Sequence, residues 1–360
     1  MIGEFLFLAF SLAIGSPDRG PGEAGTAMAE NEDRLEANPG LLGSDSLDRG
    51  FHARLTVPSI RLPLAAWDDV SPHLDLIRSG NPDQILSDKG FVNALWKFDN
   101  RPVSVGSGLG LAFWQGDWAF SSLLWAHPGV QLDRGVVIPQ ISVWDSTDLH
   151  IRAGVSQSFE CSRIGVGIHV RGRTGTTVTT SLRDPTRLSG EIGGLQDSVK
   201  KDFKGGVSEL GAGLDLGLLQ SLPMDFQCGV RLSDLGMKDA DGNFERPQLD
   251  IAGAWIPQFF QAGPRWSRRL SLGAGFRDLL DTRMPLLGRF DLGVKVRHNL
   301  SPRGTELRTG VGLRGGWPTA DLGLTLGPAL LDVSVWTRDL DPVLGQTPLQ
   351  FWDLRLQLGW

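Results

Sequence analysis

The last twelve residues of the chain alternate strictly between apolar and polar side chains. The apolar face carries Trp352, Leu354, Leu356, Leu358 and Trp360, and the other face carries Asp353, Arg355, Gln357 and Gly359. A side-chain period of two defines a β-strand, and aromatic residues at both ends of an apolar face are typical of strands in transmembrane barrels. A strand of a soluble β-sandwich can show the same alternation, so the interpretation depends on whether the pattern repeats.

The same alternation recurs along most of the chain. Strands are predicted at 51–62, 103–114, 117–126, 135–144, 148–159, 163–174, 210–219, 225–235, 248–255, 269–279, 287–297, 306–314, 319–326, 330–338 and 349–360. Pro58 requires an edge or bulge position, because proline donates no ladder hydrogen bond. Bacterial barrels have an even number of strands. We therefore expect an all-β fold, a transmembrane antiparallel β-barrel of about 14 strands.

Two stretches have the spacing of short helices instead. They are Ser71–Trp96, which Gly80, Pro82 and Gly90 interrupt, and Leu188–Lys204, which Gly205 and Gly206 follow. Irregular backbone cannot face lipid, because its polar groups would be left without hydrogen-bond partners. We expect both helical inserts to plug the lumen or to lie at a rim.

The N-terminal residues 1–15 contain a short apolar run, Phe5–Ile14, of the length found in a signal peptide. Glu4 precedes it and no Lys or Arg does, so either the true start lies upstream or the signal is a poor one; an ordinary buried segment is the alternative. Residues 16–49 lack periodicity and are predicted to be an N-terminal segment that is mostly loop. The barrel is assigned to residues 50–360.

Composition excludes several classes of protein. A formal charge of −6 provides no broad basic field for nucleic acid, and no apolar run after the N-terminus is long enough for a transmembrane helix. The chain has 12 Trp and no Tyr, so Trp and Phe must form any interfacial girdle, where the protein meets outer-membrane lipid. Its two cysteines, Cys161 at a turn and Cys228 on the lipid face, are expected to be free thiols.

The polar faces of the predicted strands are rich in cations. A ligand path along the lumen would use Arg152, Arg171, Arg231, Arg277, Arg289, Lys295, Arg297, Arg308, Arg314 and Arg355. A charge on the lipid face would cost about 2–4 kcal/mol at the midplane, which the luminal position avoids. The alternative is a closed interior of cross-strand ion pairs, in which Asp291, Glu306, Asp321 and Asp353 are the partners.

Catalytic and cofactor motifs are not recognised in the sequence. The six histidines show no metal-ligand spacing, and no nucleophile elbow, P-loop or cysteine cluster occurs. His150 and His169 could face each other across adjacent strands with Ser156 nearby, which faintly suggests a hydrolase in the barrel wall. We expect luminal histidines with satisfied hydrogen bonds instead, and hence no enzyme activity, cofactor or metal.

Three stretches resemble FadL-like outer-membrane proteins, most nearly their PorV and TraF-like branch. These are Asn38-Pro39-Gly40-Leu41, then Gly211–Trp255, then the C-terminal Gly310–Trp360, which is the most specific. The chain departs from that family by Gly40 in place of Ala and Trp336 in place of Tyr, and it has no recognisable ligand motif.

The resemblance implies an outer-membrane barrel of about 14 strands that transports hydrophobic or amphipathic small molecules, with the segment around Asn38 occluding the lumen. A wall opening would pass the ligand to the membrane, and Gly310–Gly316 is the stretch expected to kink for it. One alternative is a non-transporting barrel that serves as the partner of a secretion or assembly system. Another is a soluble or periplasmic β protein.

Overall fold

The computed structural model describes residues 33–42, 51–63, 90, 102–104, 106–126, 129–133, 140–181, 209–238, 242–257, 268–301, 305–339 and 348–359. The predicted signal peptide and nearly all residues of the two predicted helical inserts lie outside the described residues. Among the described residues, no helix is long and apolar enough to cross a membrane.

Strands account for most of the described residues. They are β1 (His52–Pro63), β2 (Pro102–Ser104), β3 (Gly106–Gln115), β4 (Trp118–Ala126), β5 (Gly129–Asp133), β6 (Gln140–Phe159), β7 (Ser162–Ser181), β8 (Glu209–Ser221), β9 (Phe226–Leu235), β10 (Gln248–Trp255), β11 (Arg268–Phe276), β12 (Phe290–Ser301), β13 (Thr305–Arg314), β14 (Trp317–Leu326), β15 (Ala329–Asp339) and β16 (Pro348–Gly359). A short helix, α1 (Asp33–Ala37), a 3-10 turn at Pro39–Leu41 and another at Leu286–Arg289 complete the list.

Fourteen of these strands close into one antiparallel barrel. Each barrel strand pairs with the next one along the chain, except that β1 pairs with β3 and β4 pairs with β6, and β16 closes the wall against β1. Strands β2 and β5 stay outside the ring, because β5 pairs with the first residues of β6 and β2 pairs with β5. The predicted fold class and strand number are confirmed.

The prediction of two strands at 135–144 and 148–159 was wrong, because β6 runs unbroken through Asp145–Thr147. These residues stay extended and pair with Thr174–Thr176 of β7. They include neither Gly nor Pro, so nothing in the local sequence forces a turn. Strands β6 and β7 therefore continue beyond the end of β4 and project past the barrel wall there.

The ladder has no break in the described stretch Gly310–Gly316, where a kink was expected to open the wall. Strands β13 and β14 pair in register from Thr305 with Leu326 to Arg314 with Trp317. Gly315 and Gly316 have φ values of +57° and +86° and form the hairpin turn between them. The ladder of β1 shifts register between Thr56 and Ser59 instead, which gives Pro58 its predicted bulge.

The outer face of the barrel is apolar and the inner face is polar, as the alternation predicted. On β7, Ile168 is 56% exposed whereas its neighbour His169 is 6% exposed. Without lipid present, exposure marks the outside of the wall and burial marks the lumen. The terminal strand follows the same rule, with Trp352 and Leu354 outside and Asp353 and Gln357 inside. This arrangement suits a bilayer, not a soluble protein.

Trp and Phe pair with one another at both ends of the apolar outer face: Phe276 lies beside Phe290 where β11 finishes, and the other pairs lie at the opposite end. Phe51 and Phe120 both stack on Phe113, and Phe226 stacks on Trp255. Cys161 lies in a turn and Cys228 on the outer face, and both are exposed free thiols as expected.

The two ends of the barrel differ in their connections. At one end, which we call the short-turn end, most strands join through short connections, namely 116–117, 160–161, 222–225, 302–304 and 327–328, while 256–267 is longer; the C-terminal strand ends there. At the other end, which we call the long-connection end, most connections are longer, among them 182–208, 236–247 and 277–289. Both predicted helical inserts fall between strands that meet at the long-connection end.

Candidate functional site

The N-terminal segment Asp33–Leu42 lies inside the barrel. Asn38 ends α1 and caps the 3-10 turn that follows, since its Oδ1 accepts a hydrogen bond from the backbone N–H of Gly40 at 2.9 Å. Pro39 occupies the first position of that turn, where its missing N–H leaves no bond unmade. The Asn-Pro-Gly-Leu sequence thus encodes a compact turn by local rules alone.

Three hydrogen bonds join this segment to the barrel wall. Asn38, which has no exposed surface, donates from Nδ2 to the backbone oxygen of Leu218 on β8 at 3.1 Å. The backbone oxygen of Leu42 accepts from Ser156 Oγ at 2.7 Å and from Arg163 Nη1 at 2.8 Å. Because Ser156 and Arg163 flank the β6–β7 turn, the segment is held near the short-turn end.

Glycines make room for the turn where it meets the wall. A Cβ on Gly165 of β7 would lie 2.2 Å from the carbonyl carbon of Pro39, and one on Gly217 of β8 would lie 2.0 Å from Asn38 Oδ1. Real Cβ atoms do not approach other atoms so closely, so any side chain there would displace the turn. We call Gly165 and Gly217 the glycine seat; sequence reasoning missed it, because a glycine on a strand has no distinctive local signal.

Apolar contacts extend the segment across to other strands. Leu35 and Leu42 pack with Ala112 and Trp114 of β3 and Ala119 of β4, all of them buried. On the opposite side of the turn, Leu41 packs against Leu219 of β8. The ten-residue segment 33–42 therefore contacts several strands of the wall at once, on the side of the wall that faces the lumen.

Several of the predicted luminal cations have carboxylate partners. Arg171 bonds to Glu245 at 3.0 Å, and Arg231 lies between Asp215 and Asp250 at 3.6 and 3.7 Å. Glu306 lies 2.7 Å from Arg308 and 3.4 Å from Arg297. Arg231 and Arg297 thus have partners on neighbouring strands, whereas Arg308 pairs within β13 and Arg171 pairs with a residue of the 236–247 connection.

Two of the candidate cations lie beyond the ends of the strands, although we expected them on the luminal wall. Arg289 belongs to the 3-10 turn after β11, where its guanidinium donates to the backbone oxygens of Leu279 and Met284 and so closes the loop. Arg277 follows β11 directly and pairs with Asp291. Both were assigned to the lumen by extending a period of two past the end of a strand.

The remaining candidates, Arg152, Lys295, Arg314 and Arg355, occupy inward positions by register. Arg314 stands over the ring of Trp336 at 5.7 Å, and Trp336 stacks on Phe351 with ring centres 4.7 Å apart. The indole N–H of Trp336 donates to Asp353 at 3.0 Å. This luminal aromatic pair could have been found from the sequence, because Trp336 and Phe351 fall on the polar faces of their strands.

The structure does not bring His150, His169 and Ser156 together as a hydrolase site would require. His150 and His169 both face the lumen, but His169 pairs in register with Arg152, and His150 pairs with Arg171. Ser156 donates its hydroxyl to Leu42, which fixes it in the contact with the N-terminal segment. The three residues therefore do not form a nucleophile–base pair.

An ion cluster ties together two loops at the long-connection end. Arg246 contacts Asp281 at 3.0 Å and Asp278 at 3.2 Å, and Arg283 contacts Asp281 at 3.0 Å. Burial disfavours the ionised form of Asp281, but hydrogen bonds from Arg283 and Arg246 outweigh it and lower the pKa below its usual range. Burial raises the pKa of Asp278, and the hydrogen bond to Asp281 raises that of Arg246.

No protein-family model and no curated protein sequence matches the chain. Among solved structures, a deltaS2S3 mutant of the monoaromatic hydrocarbon channel TodX shares 12% sequence identity at a TM-score of 0.44. The match covers 94% of this chain and 98% of the TodX chain. The Pseudomonas putida toluene transporter TodX is 12% identical at a TM-score of 0.41, and the match covers 95% of this chain and 98% of that one. A mutant Rh. blastica porin is 9% identical at a TM-score of 0.31, and the match covers 86% of this chain and 99% of that one. At such values the similarities assign neither family nor activity.

Proposed function

We propose that this barrel is an outer-membrane channel for hydrophobic or amphipathic small molecules, exported by its N-terminal signal peptide. In this proposal the short-turn end faces the periplasm, since short turns lie on that side in bacterial barrels. Segment 33–42 closes the lumen at that end, and the luminal cations and the Trp336–Phe351 pair line the path above it.

The observation that carries the proposal is the seating of Asn38 and its turn inside the lumen. A barrel that serves only as a wall needs no buried internal segment. Here the segment is held by hydrogen bonds that involve Asn38, Ser156 and Arg163 and by apolar contacts to β3, β4 and β8. A ligand that competes for the same surfaces would shift the segment out of its seat by binding better to the barrel with the segment released.

Transport can be tested directly with the purified barrel in liposomes. Uptake of an apolar fluorophore should require the barrel and should rise when Gly165→Val dislodges the turn from its seat. Mass spectrometry of the native protein in mild detergent should reveal a copurifying lipid or apolar metabolite at near-stoichiometric level. Uptake equal to that of empty liposomes for both proteins, with no bound small molecule, would contradict the proposal.

A second pair of variants separates the ligand path from ion pairs that only stabilise the wall. Arg308→Gln removes a luminal cation that pairs with Glu306. Arg289→Gln removes a loop cation whose described hydrogen bonds go to the backbone oxygens of Leu279 and Met284. A path for an anionic or amphipathic solute predicts slower uptake for Arg308→Gln alone. Equal uptake with lower stability would make Arg308 structural.

The sheet beyond the rim favours a second function. Strands β6 and β7 project past β4 and carry β5 and β2 at their edge, which a channel does not need. We propose as the alternative a barrel that serves a secretion or assembly system, with this projecting sheet as the contact. A protein partner that stays bound in mild detergent, with no small molecule present, would favour it.

A further inference from the structure

One buried cluster in the lumen is independent of the N-terminal segment. His169 of β7 lies between two carboxylates, with Nδ1 at 3.3 Å from Asp215 Oδ2 and Nε2 at 3.1 Å from Asp234 Oδ1. Asp215 comes from β8 and is 2% exposed, and His169 is 6% exposed. One atom from each of the three residues lies within 4.8 Å of the other two.

An irregularity in β9 brings Asp234 into this cluster. The register with β8 shifts between Leu214 and Leu216, and Asp234 has a φ of +60°. An extra residue in one strand of a pair redirects the side chains beside it, and bulges often occur at sites of function. Beyond the bulge, Met237 turns inward until its Sδ is 3.3 Å from His169 Nε2.

The imidazole has an unmet requirement in this environment. Although Nδ1 is buried, it makes no hydrogen bond, because the contact with Asp215 lacks the geometry of one. Asp215 and the adjacent Asp250 lie at ion-pair distance from the guanidinium of Arg231. Asp215 and Asp234 both approach the His169 ring, so a divalent cation bound there would supply positive charge where two carboxylates converge.

We propose that His169, Asp215 and Asp234 bind a divalent first-row transition ion such as Zn²⁺ or Co²⁺. Imidazole nitrogen with carboxylate oxygens suits these ions, whose bonds to such ligands are about 2.0–2.2 Å long. The ion takes one ring nitrogen, so the carboxylate beside the other nitrogen has to turn toward it; one donor atom from each residue already lies within 4.8 Å of the other two. Water completes the coordination. Arg231 remains paired with Asp250, and the Met237 thioether lies beside the site as a weak further donor.

The ion would join β7, β8 and the end of β9 at the bulge. Its role is to brace this part of the wall, where the register shift interrupts the ladder. The proposal does not depend on the channel function, because it concerns a site that the N-terminal segment does not touch in the described contacts.

Metal titration of the full-length chain tests the site. The barrel is folded in detergent without a histidine tag, stripped with a chelator and titrated with Co²⁺, whose visible absorption reports coordination; Zn²⁺ then displaces it. Wild-type protein should bind one ion per chain. His169→Asn, Asp215→Asn and Asp234→Asn should each weaken binding at least ~10-fold, in line with losses measured when metal-site residues are changed.

His150→Asn is the matched control, since His150 is a buried luminal histidine on the neighbouring strand. It should bind Co²⁺ like wild type. Wild-type protein that binds no Co²⁺, or cluster variants that bind as tightly as wild type, would overturn the proposal. Should a variant fail to fold, X-ray absorption of Zn²⁺-loaded wild-type protein still decides: one imidazole with oxygen neighbours supports the site, and sulfur neighbours from the exposed cysteines refute it.

Discussion

The side-chain amide of Asn38 donates to the backbone oxygen of Leu218, 180 positions along the chain, at 3.1 Å. This bond joins the N-terminal segment to β8 close to the short-turn end of that strand, and the other atom of the same amide closes the turn at Gly40. One buried side chain therefore both shapes the segment and attaches it to the barrel.

Asn38→Asp should loosen the segment without removing the turn. The carboxylate still accepts from Gly40 but cannot donate to Leu218, and a buried acceptor left without its donor costs about 1–3 kcal/mol. Hydrogen exchange at the Gly40 amide should therefore accelerate about 5- to 100-fold. Gln157→Glu, the same change of group at an exposed position on β6, should leave that rate unaltered. Equal exchange in wild type and Asn38→Asp would mean that this bond contributes nothing to docking.

Gly217→Ala should displace the turn from the glycine seat. The new methyl group would overlap Asn38 Oδ1, and overpacking of this kind costs about 1–3 kcal/mol. Limited proteolysis should cut residues 33–42 at least several-fold faster than in wild type. Gly253→Ala on β10 is the control, because the nearest atom to its Cβ would be 4.0 Å away. Protection that is unchanged in Gly217→Ala would show that the wall adapts and that the seat is not selective.

Ile168→Arg should destabilise the barrel in a bilayer. Ile168 is on the outer face near the middle of the β7 wall, and an arginine at midplane depth costs about 2–4 kcal/mol. Leu287→Arg, at a position 66% exposed in the loop beyond the strands, should cost far less. Denaturant unfolding in liposomes measures both changes. Equal losses for the two variants would contradict the assignment of the outer face to lipid.

Asp281→Asn should weaken the loop cluster in a pH-dependent way. The pKa of Asp281 is lowered in the folded state, so its contribution is complete above the unfolded pKa of about 4 and is lost as pH falls through the lower folded value. Because Arg246 and Arg283 are partly exposed, each pair is worth about 0.5 kcal/mol. The thermal stability of the variant should be below that of wild type at pH 7, and the difference should shrink in acid.

Asp278→Asn serves as the opposite case in the same loop. Burial raises the pKa of Asp278, so ionisation there costs stability as pH rises, and the amide removes that cost. Its melting temperature relative to wild type should rise, not fall, between pH 4 and pH 7. The same pH trend in both variants would show that loop charge in general, and not the specific pairs, sets the stability.

The period-two alternation is enough to predict the fold class, the lipid and luminal faces and the approximate strand number. It is enough because a barrel wall imposes the same rule on every strand: apolar side chains outside and polar side chains inside. Where the rule was carried past the end of a strand, it failed for Arg289, which was placed on the luminal wall although its guanidinium bonds within a loop, whereas Arg277 lies just beyond β11 and pairs with Asp291 of β12. The break predicted between 144 and 148 failed for a related reason, because strand length depends on the partner strand as much as on the local sequence.

The barrel fold can be predicted from the sequence because the period-two alternation recurs in strand after strand, and a turn at Asn38 follows from residues next to one another in the chain. That this turn meets Gly165 and Gly217, and that His169 meets Asp215 and Asp234, depends on the folded barrel. Those encounters depend on the register between strands and on one extra residue in β9, and neither leaves a local signal.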